Sequence, residues 1–377
     1  LRSLYIHVPF CPTICPYCDF HVVRRYGGVV EAYLKRLAEE AAALHQRFPG
    51  PLETLYFGGG TPSFLRGHEL ERLFAALPWR LSLGAEVTME ANPGTLNPER
   101  LTLLKHLGVN RLSIGVQSFQ DTVLKTLGRA HGRKGAFQAV EMSLEAGFRT
   151  SIDLILGLPG QDFEADLREA AAIGVGHVSA YTLQIEPGTP FEIQGIRLDE
   201  DLEAAAFEMA EQILGEAGLE RYEVSNFARP GEESRHNQVY WRGEFWGALG
   251  PAAVGHYPKD VEARGSRLEG HEVYSVRATN PPLPRWLAGE APSLEVISPL
   301  EYAREALMLG LRLREGVDIT LVEGRSGLEL WARLKKTVRE LEERGLIWTH
   351  QTHLGATRVG LPLLHRLILQ FWEALRA

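Results

Sequence analysis

The first half of the chain repeats one pattern six times: a short β-rich run, then a stretch with helical periodicity. The runs are Ser3–Val8, Glu53–Gly58, Ala85–Ala91, Arg111–Val116, Ser151–Leu156 and His177–Leu183. Between them lie stretches such as Val30–Phe48, which puts Leu34, Leu37, Ala38 and Ala41 on one face. Another, Asn97–Gly108, opens on a capping Asn, places Pro98 at the first helical position and stops at a glycine. The repeat of about 30 residues is the length of a βαβ unit. The pattern predicts an α/β fold on a parallel sheet, and by itself leaves open whether that sheet is doubly wound or a partial barrel.

After Gln184–Glu192 the rhythm ends. A helix-like run, Leu202–Glu216, leads into a stretch rich in Gly, Pro and aromatics that holds Trp241 and Trp246, with Trp286 beyond it. Core packing accounts for such aromatics in the ordinary case; a flat ligand is the sharper reading. Five prolines between Pro281 and Pro299 read as a connection between domains. The tail predicts helices over Leu300–Leu313, Leu328–Arg344 and Leu363–Leu375, with short strands at Leu346–His350 and Thr357–Leu361, a winged-helix-like pattern. The expected domains are a barrel over 1–195, a connecting region over 196–290 and a C-terminal unit over 291–377. No basic recognition helix stands out, so the tail reads as a packing or partner module.

With 377 residues, 45% hydrophobic and 23% charged, the chain has material for a large core. Its net charge of −8 argues against general nucleic-acid binding. It lacks a run of about 18 apolar residues and the apolar segment of a signal peptide. With only three cysteines, the expected compartment is the cytoplasm.

In parallel α/β folds, sites gather at the carboxyl ends of the strands. Here those ends carry the cysteines, Gly58–Pro62, Glu90, Gln117, Asp153, and Gln184 with Glu186. A glycine run lets backbone approach a bound cofactor, and Glu90 and Asp153 stand where apolar residues are expected. Singly, each has a plain alternative: a tight turn for the glycines, pairing with Arg111 or Arg129 for the carboxylates. Jointly the coincidence points to a ligand-binding rim.

All three cysteines, Cys11, Cys15 and Cys18, lie in one stretch. Zinc would need a fourth ligand such as His7 or His21, and no second ligand cluster exists in the sequence. A disulfide with a spare thiol suits a cytoplasmic chain poorly. A [4Fe–4S] cluster on three thiolates leaves one iron open to a small molecule carrying an amine and a carboxylate.

The C-x₃-C-x₂-C spacing with Tyr17 before the last Cys, and the glycine run some way on, resembles the signature of the radical S-adenosylmethionine (SAM) superfamily. The resemblance implies a partial (β/α)6 TIM-like barrel with a [4Fe–4S] cluster on Cys11, Cys15 and Cys18. SAM would be chelated at the open iron and, when the cluster is reduced, cleaved to a 5′-deoxyadenosyl radical. The stretches Leu4–Phe20, Tyr56–Leu65, Glu90–Leu96, Arg111–Phe119, Ile152–Gln161 and Tyr181–Thr189 further resemble oxygen-independent coproporphyrinogen III oxidases and their relatives, as does Glu305–Asp318 in the tail. By that resemblance the SAM contacts are Tyr5, Tyr17, Gly59, Gly60, Thr61, Glu90, Gln117, Arg129 and Asp153.

The oxidases carry a fourth cysteine two residues after the third; this chain has Phe20 there and resembles instead the haem-chaperone branch, HemW. That branch shows a His-Asn-x-x-Tyr-Trp motif proposed to bind haem, present here as His236, Asn237, Tyr240 and Trp241. An imidazole is a good haem ligand and aromatic neighbours cover a porphyrin face. A capping or hydrogen-bonded histidine is the plain alternative. The Gly-Ala-His step of the chaperones is absent: Val254 stands at the His position and His256 is displaced. The implied function is haem delivery to haem-requiring proteins, with an electron donor of the flavodoxin or ferredoxin kind and room for peripheral membrane contact. The alternatives are the radical decarboxylation of coproporphyrinogen III propionates, and a zinc-stabilised α/β protein without redox role.

Overall fold

A computed structural model describes residues 1–259 and 273–376. Its six leading strands are β1 (Ser3–Val8), β2 (Leu52–Gly59), β3 (Leu81–Ala91), β4 (Arg111–Gln117), β5 (Arg149–Leu156) and β6 (His177–Thr182). They are hydrogen-bonded in sequence order, all in parallel. The crossovers are α1 (Val29–Arg47), α2 (Gly67–Ala75), α3 (Pro98–His106), α4 (Asp121–Thr126), α5 (Gly132–Glu145) and α6 (Phe163–Ala172). The cap expected for α3 forms: Asn97 Oδ1 accepts from Arg100 N at 2.7 Å.

Strand alternation sorts the side chains onto two faces. Leu4, Ile6, Val8, Leu55, Phe57, Val87, Met89, Leu112, Ile114, Ile152, Leu154 and Val178 form one buried core with Tyr33 and Leu37 of α1. The intervening residues, largely polar, turn to the other face and line the barrel interior.

Beyond β6 come α7 (Pro190–Ile193), α8 (Glu200–Glu216), β7 (Glu220–Arg221), β8 (Asn226–Ala228), α9 (Arg235–Trp241) and β9 (Gly247–Leu249). The region expected as a connection therefore contributes three strands to the same sheet. The order is β9-β1-β2-β3-β4-β5-β6-β8-β7, nine strands in all. β9 runs parallel to β1, while β8 is antiparallel to β6. The sheet curls without closing, and both of its outer edges come from residues 220–249.

The proline-rich stretch is anchored. Half-buried Glu40 of α1 accepts from Gly250 N at 2.9 Å, Asn280 Nδ2 at 2.6 Å and Trp286 Nε1 at 3.2 Å. Trp286, 1% exposed, lies on α10 (Leu283–Leu287), tilted against Tyr33. A second sheet joins β10 (Val254–Pro258), β11 (Ser275–Thr279) and β12 (Ser293–Ile297).

The C-terminal unit has its own core around Tyr302, Leu307, Leu334, Leu341 and Phe371. Its elements are α11 (Pro299–Gly310), β13 (Val317–Asp318), α12 (Ile319–Ser326), α13 (Leu330–Glu343), β14 (Ile347–His350), β15 (His353–Ala356) and α14 (Leu364–Ala374). Three of these helices lie near their expected places; α12 was not anticipated. The second hairpin strand is His353–Ala356, not Thr357–Leu361. A two-residue turn with Gln351 at φ 53° reverses the chain earlier than the β-rich composition suggested.

Candidate functional site

A cavity of about 400 Å³ opens at the carboxyl ends of the strands. Cys11, Cys15, Tyr17, Cys18, Gly59, Gly60, Thr61, Glu90, Gln117, Arg129 and Asp153 all line it. Asn237 reaches the same wall from α9, and Phe20, 65% exposed, stands at the cysteine loop.

The cysteine loop is held from several sides. Cys18 N donates to Cys15 O at 3.1 Å, Phe191 N donates to Pro16 O at 3.1 Å, and the Tyr17 ring packs against Phe191. Arg129 Nη1 lies 3.5 Å from Cys15 Sγ while its Nη2 donates to Gly115 O at 2.6 Å. Cys11 Sγ is 3.5 Å from Thr61 Oγ1. Burial is the main cause that raises the Cys11 thiol and pushes the Cys18 thiol up to about 11. No disulfide joins any of the three.

The donor set suits an iron–sulfur cluster better than a zinc ion. In a [4Fe–4S] cluster each thiolate binds a different iron, so the sulfurs need not converge on one point. Among the described residues no three His, Cys, Asp or Glu side chains do converge on one ion position. The histidines weighed as fourth ligands are engaged. His7 Nε2 donates to His21 O at 2.8 Å and its Nδ1 meets Tyr5 Oη at 3.1 Å; His21 Nε2 accepts from Leu283 N at 2.9 Å.

The glycine run serves packing first. A Cβ on Gly59, at φ 105°, would overlap the His7 ring, and one on Gly60 would lie 2.9 Å from the Val8 and Phe10 carbonyl oxygens. Gly60 N donates to Val8 O and Thr61 N to Phe10 O, each at 2.9 Å. The run thus locks β2 to the exit of β1, where the cysteine loop starts.

Among the described residues neither carboxylate forms an ion pair with Arg111 or Arg129. Glu90 accepts from Tyr56 Oη at 2.9 Å and from Gly59 N at 3.0 Å. Asp153 accepts from Ser113 Oγ at 3.2 Å. Burial is the leading cause that raises Glu90 to about 7 and Asp153 to about 6, with repulsion from Asp153 adding to the rise at Glu90. Gln117, at φ 69°, occupies the left-handed region at a register shift in β4 and accepts from Tyr181 Oη at 3.3 Å.

Several expected residues lie elsewhere. Tyr5 is outside the cavity wall; its ring stacks on Tyr56, which does line it. Gln184 and Glu186 do not line it, and strand six is represented there by His177, Ser179 and Tyr181. His236 is 1% exposed, with Nδ1 2.8 Å from Thr54 Oγ1 and Nε2 2.7 Å from Tyr240 Oη. Its ring stacks on Tyr56 at 5.0 Å, its backbone N donates to Glu86 Oε1, and burial lowers its pKa to about 3. As folded here it offers no free nitrogen to an iron; ligation requires release from Thr54 or Tyr240. His256 is likewise buried, 2.7 Å from Ser275 Oγ. Trp286 follows the core-packing reading; Trp246 is half-buried, donates to Val254 O at 2.7 Å and packs edge-on against Tyr240 and His256. Trp241 is half-buried.

Tyr56, Thr88, Asn92, Ser113, Ser179 and Tyr181 also line the cavity and were not anticipated as site residues. Part of the signal was available: Tyr56 sits two residues from Gly58 and Thr88 two from Glu90, on the same face of their strands.

A parallel, incompletely closed barrel with three cysteines on the loop after its first strand defines a radical SAM protein. Residues 5–171 match the radical SAM superfamily model and 297–363 the HemN C-terminal domain model. A haem chaperone HemW of Lactococcus lactis is 34% identical over 98% of this chain and 97% of its own length. A Bacillus subtilis HemW is 32% identical over 96% of each chain. A Bos taurus protein described as radical S-adenosyl methionine domain-containing protein 1, mitochondrial, is 36% identical over 99% of this chain and 88% of its own. Among solved structures, the Escherichia coli coproporphyrinogen III oxidase HemN superposes with a TM-score of 0.80 at 21% identity, over 98% of this chain and 89% of its own, a likeness of fold. The chain belongs to the HemW family.

Proposed function

We propose that this protein is a haem chaperone that holds a [4Fe–4S] cluster and SAM in the barrel cavity and passes haem to haem-requiring proteins. One observation carries the reading: near full-length likeness to haem chaperones, in a chain with Phe20 where the oxidase pattern has a fourth cysteine. Cys11, Cys15 and Cys18 would hold the cluster; Tyr17, Gly59, Gly60, Thr61, Glu90, Gln117, Arg129 and Asp153 would contact SAM, with Tyr5 acting through Tyr56. The chemistry that cluster and SAM supply together is one-electron reductive cleavage of SAM. The chain's own part is to orient and shield. Ionised Glu90 and Asp153 accept hydrogen bonds from a cationic, hydroxyl-bearing ligand, and Arg129 places positive charge beside the Cys15 sulfur.

Haem would be taken up at the His236–Trp241 segment, with His236 released from Thr54 or Tyr240 to ligate iron. The reading includes a cytoplasmic location, a flavodoxin- or ferredoxin-like electron donor and peripheral contact with a membrane. Among the described residues no helix is long and apolar enough to cross one.

Haem titration of the anaerobically reconstituted protein tests the proposal. Wild type is expected to take up haem with a Soret shift, and His236→Ala to lose that species. No uptake by either defeats the reading, and formation of protoporphyrinogen from coproporphyrinogen III, with SAM and a reductant, would replace it with the oxidase.

A further inference from the structure

Two distant parts of the chain bound the barrel cavity. The cysteine loop stands at the carboxyl ends of the strands, and α9 lies at the amino ends. Thr54 and Glu86 are register partners on β2 and β3, two residues before Tyr56 and four before Glu90. Four residues of strand put Glu86 about 13 Å below Glu90. At that depth Glu86 accepts from the backbone N of Arg235 and His236, and Thr54 Oγ1 meets His236 Nδ1 at 2.8 Å. Ser234, which caps the helix, and Asn237 line the same cavity as the cysteines. The segment expected to take haem is therefore also a wall of the cavity expected to take SAM.

One column of side chains joins the two ends. The His236 ring stacks on Tyr56 at 5.0 Å with 25° between the planes, and Tyr5 stacks on Tyr56 as well. Tyr56 Oη donates to Glu90 Oε1 at 2.9 Å, and Tyr56 itself lines the cavity. An iron at the centre of a flat macrocycle cannot reach an imidazole that is 1% exposed and enclosed by Thr54, Tyr56 and Tyr240. Ligation takes the ring out of that nest. Tyr56 then loses one of the two rings that hold it, and the Asn237 wall moves with the helix. The helix suits such a move: it has seven residues and lies between Gly231 at φ 83° and Gly243 at φ 60°. In one arrangement Tyr56 is fixed on Glu90 and the cavity is walled. In the other His236 is free, Tyr56 is less supported and the wall is open.

We propose that α9 is a switch that sets SAM and haem against each other: SAM in the cavity keeps His236 docked, and haem on His236 loosens the SAM site. The switch rests on the SAM and haem readings above and adds their antagonism. A ligand shifts such an equilibrium only by its preference for one arrangement, and the effect of each ligand on the other is equal. SAM prefers the docked arrangement, where Tyr56 orients Glu90 and Asn237 completes the wall. Haem prefers the released one, where the imidazole is accessible.

The test is haem titration of the full chain, reconstituted anaerobically and kept without reductant so that SAM stays intact, with and without saturating SAM and read at the Soret band. SAM is expected to weaken haem ligation at least fivefold, and haem to weaken SAM binding by the same factor in equilibrium dialysis. Tyr56→Phe keeps the ring and its stack but loses the bond to Glu90, so it is expected to lower that factor. Tyr56→Phe combined with Asn237→Ala is expected to bring it below about twofold, toward the uncoupled limit. Haem binding that is equal or tighter with SAM overturns the switch. So does a factor that the variants leave unchanged, which marks plain competition for one cavity. No haem uptake under any condition defeats the chaperone reading itself, and the switch with it.

Discussion

Glu90 meets Tyr56 and Gly59, and Tyr56 is itself sandwiched between Tyr5 and His236. The first residue of the haem-type motif thus supports a cavity carboxylate through one aromatic ring. His236→Ala removes that stacking and leaves Thr54 and Tyr240 hydroxyls unpaired, so it is expected to cost about 3 kcal/mol in urea unfolding. It should also weaken SAM binding several-fold, a loss that a residue serving haem alone would not cause. The raised carboxyls set a pH dependence. Glu90 is protonated more readily folded than unfolded, so its burial favours folding while it is neutral. Stability of the cofactor-free protein is expected to fall as pH rises from about 4.5 to about 7, by on the order of 3 kcal/mol. Urea midpoints across that range check this, and Glu90→Gln should flatten the slope. SAM affinity is expected to move oppositely, rising as Glu90 and Asp153 ionise above about 6 to 7. Cys15→Ala should abolish iron and sulfide retention after reconstitution, since two thiolates anchor a cluster poorly.

Helix α9 shows how an element can be misread from local sequence. The sequence motif suggested an imidazole presented to a ligand, yet its residues form a helix capped by Ser234 Oγ, which accepts from Asn237 N at 3.3 Å. Buried Glu86 accepts from the backbone N of Arg235 and His236 at the same end. Those bonds turn His236 toward β2 and bring Asn237 to the cavity. Ser234→Ala is expected to cost about 1 kcal/mol, measured by chemical denaturation, and to speed proteolysis near Arg235. The cap was legible as Ser-Arg-His-Asn; the acceptor, Glu86, lies 150 residues away and was not. The hairpin of β14 and β15 failed for a related reason. β-rich composition in Thr357–Leu361 outweighed a turn at Gln351 that only the backbone conformation reveals.

At the scale of the molecule, one large buried core lies under the barrel helices and another in the C-terminal unit, with a smaller cluster around Ile155, Leu183 and Phe191. Val224 and Tyr274 pack against the C-terminal core, Tyr274 stacking on Tyr302, and Arg277 pairs with Glu305 at 2.7 Å, so the two parts share apolar contact. The exposed pairs Arg242 with Glu315 at 2.9 Å and Arg314 with Glu220 add only about 0–1 kcal/mol each. Calorimetry is therefore expected to show coupled unfolding, with Arg242→Ala lowering the midpoint by only a degree or two; two well-separated transitions count against that coupling. The run of parallel strands and much of the upper rim were readable from sequence, because strand period and strand-end position are local properties, while closure into a partial barrel was implied only by the family resemblance. Glu90, Gln117 and Asp153 stood out for that reason. Which carboxylate pairs with which donor, that residues 220–249 form both edges of the sheet, and that His236 is held by Thr54 all depend on contacts between distant parts of the chain. No local pattern encodes such pairings, so tertiary packing alone decided them.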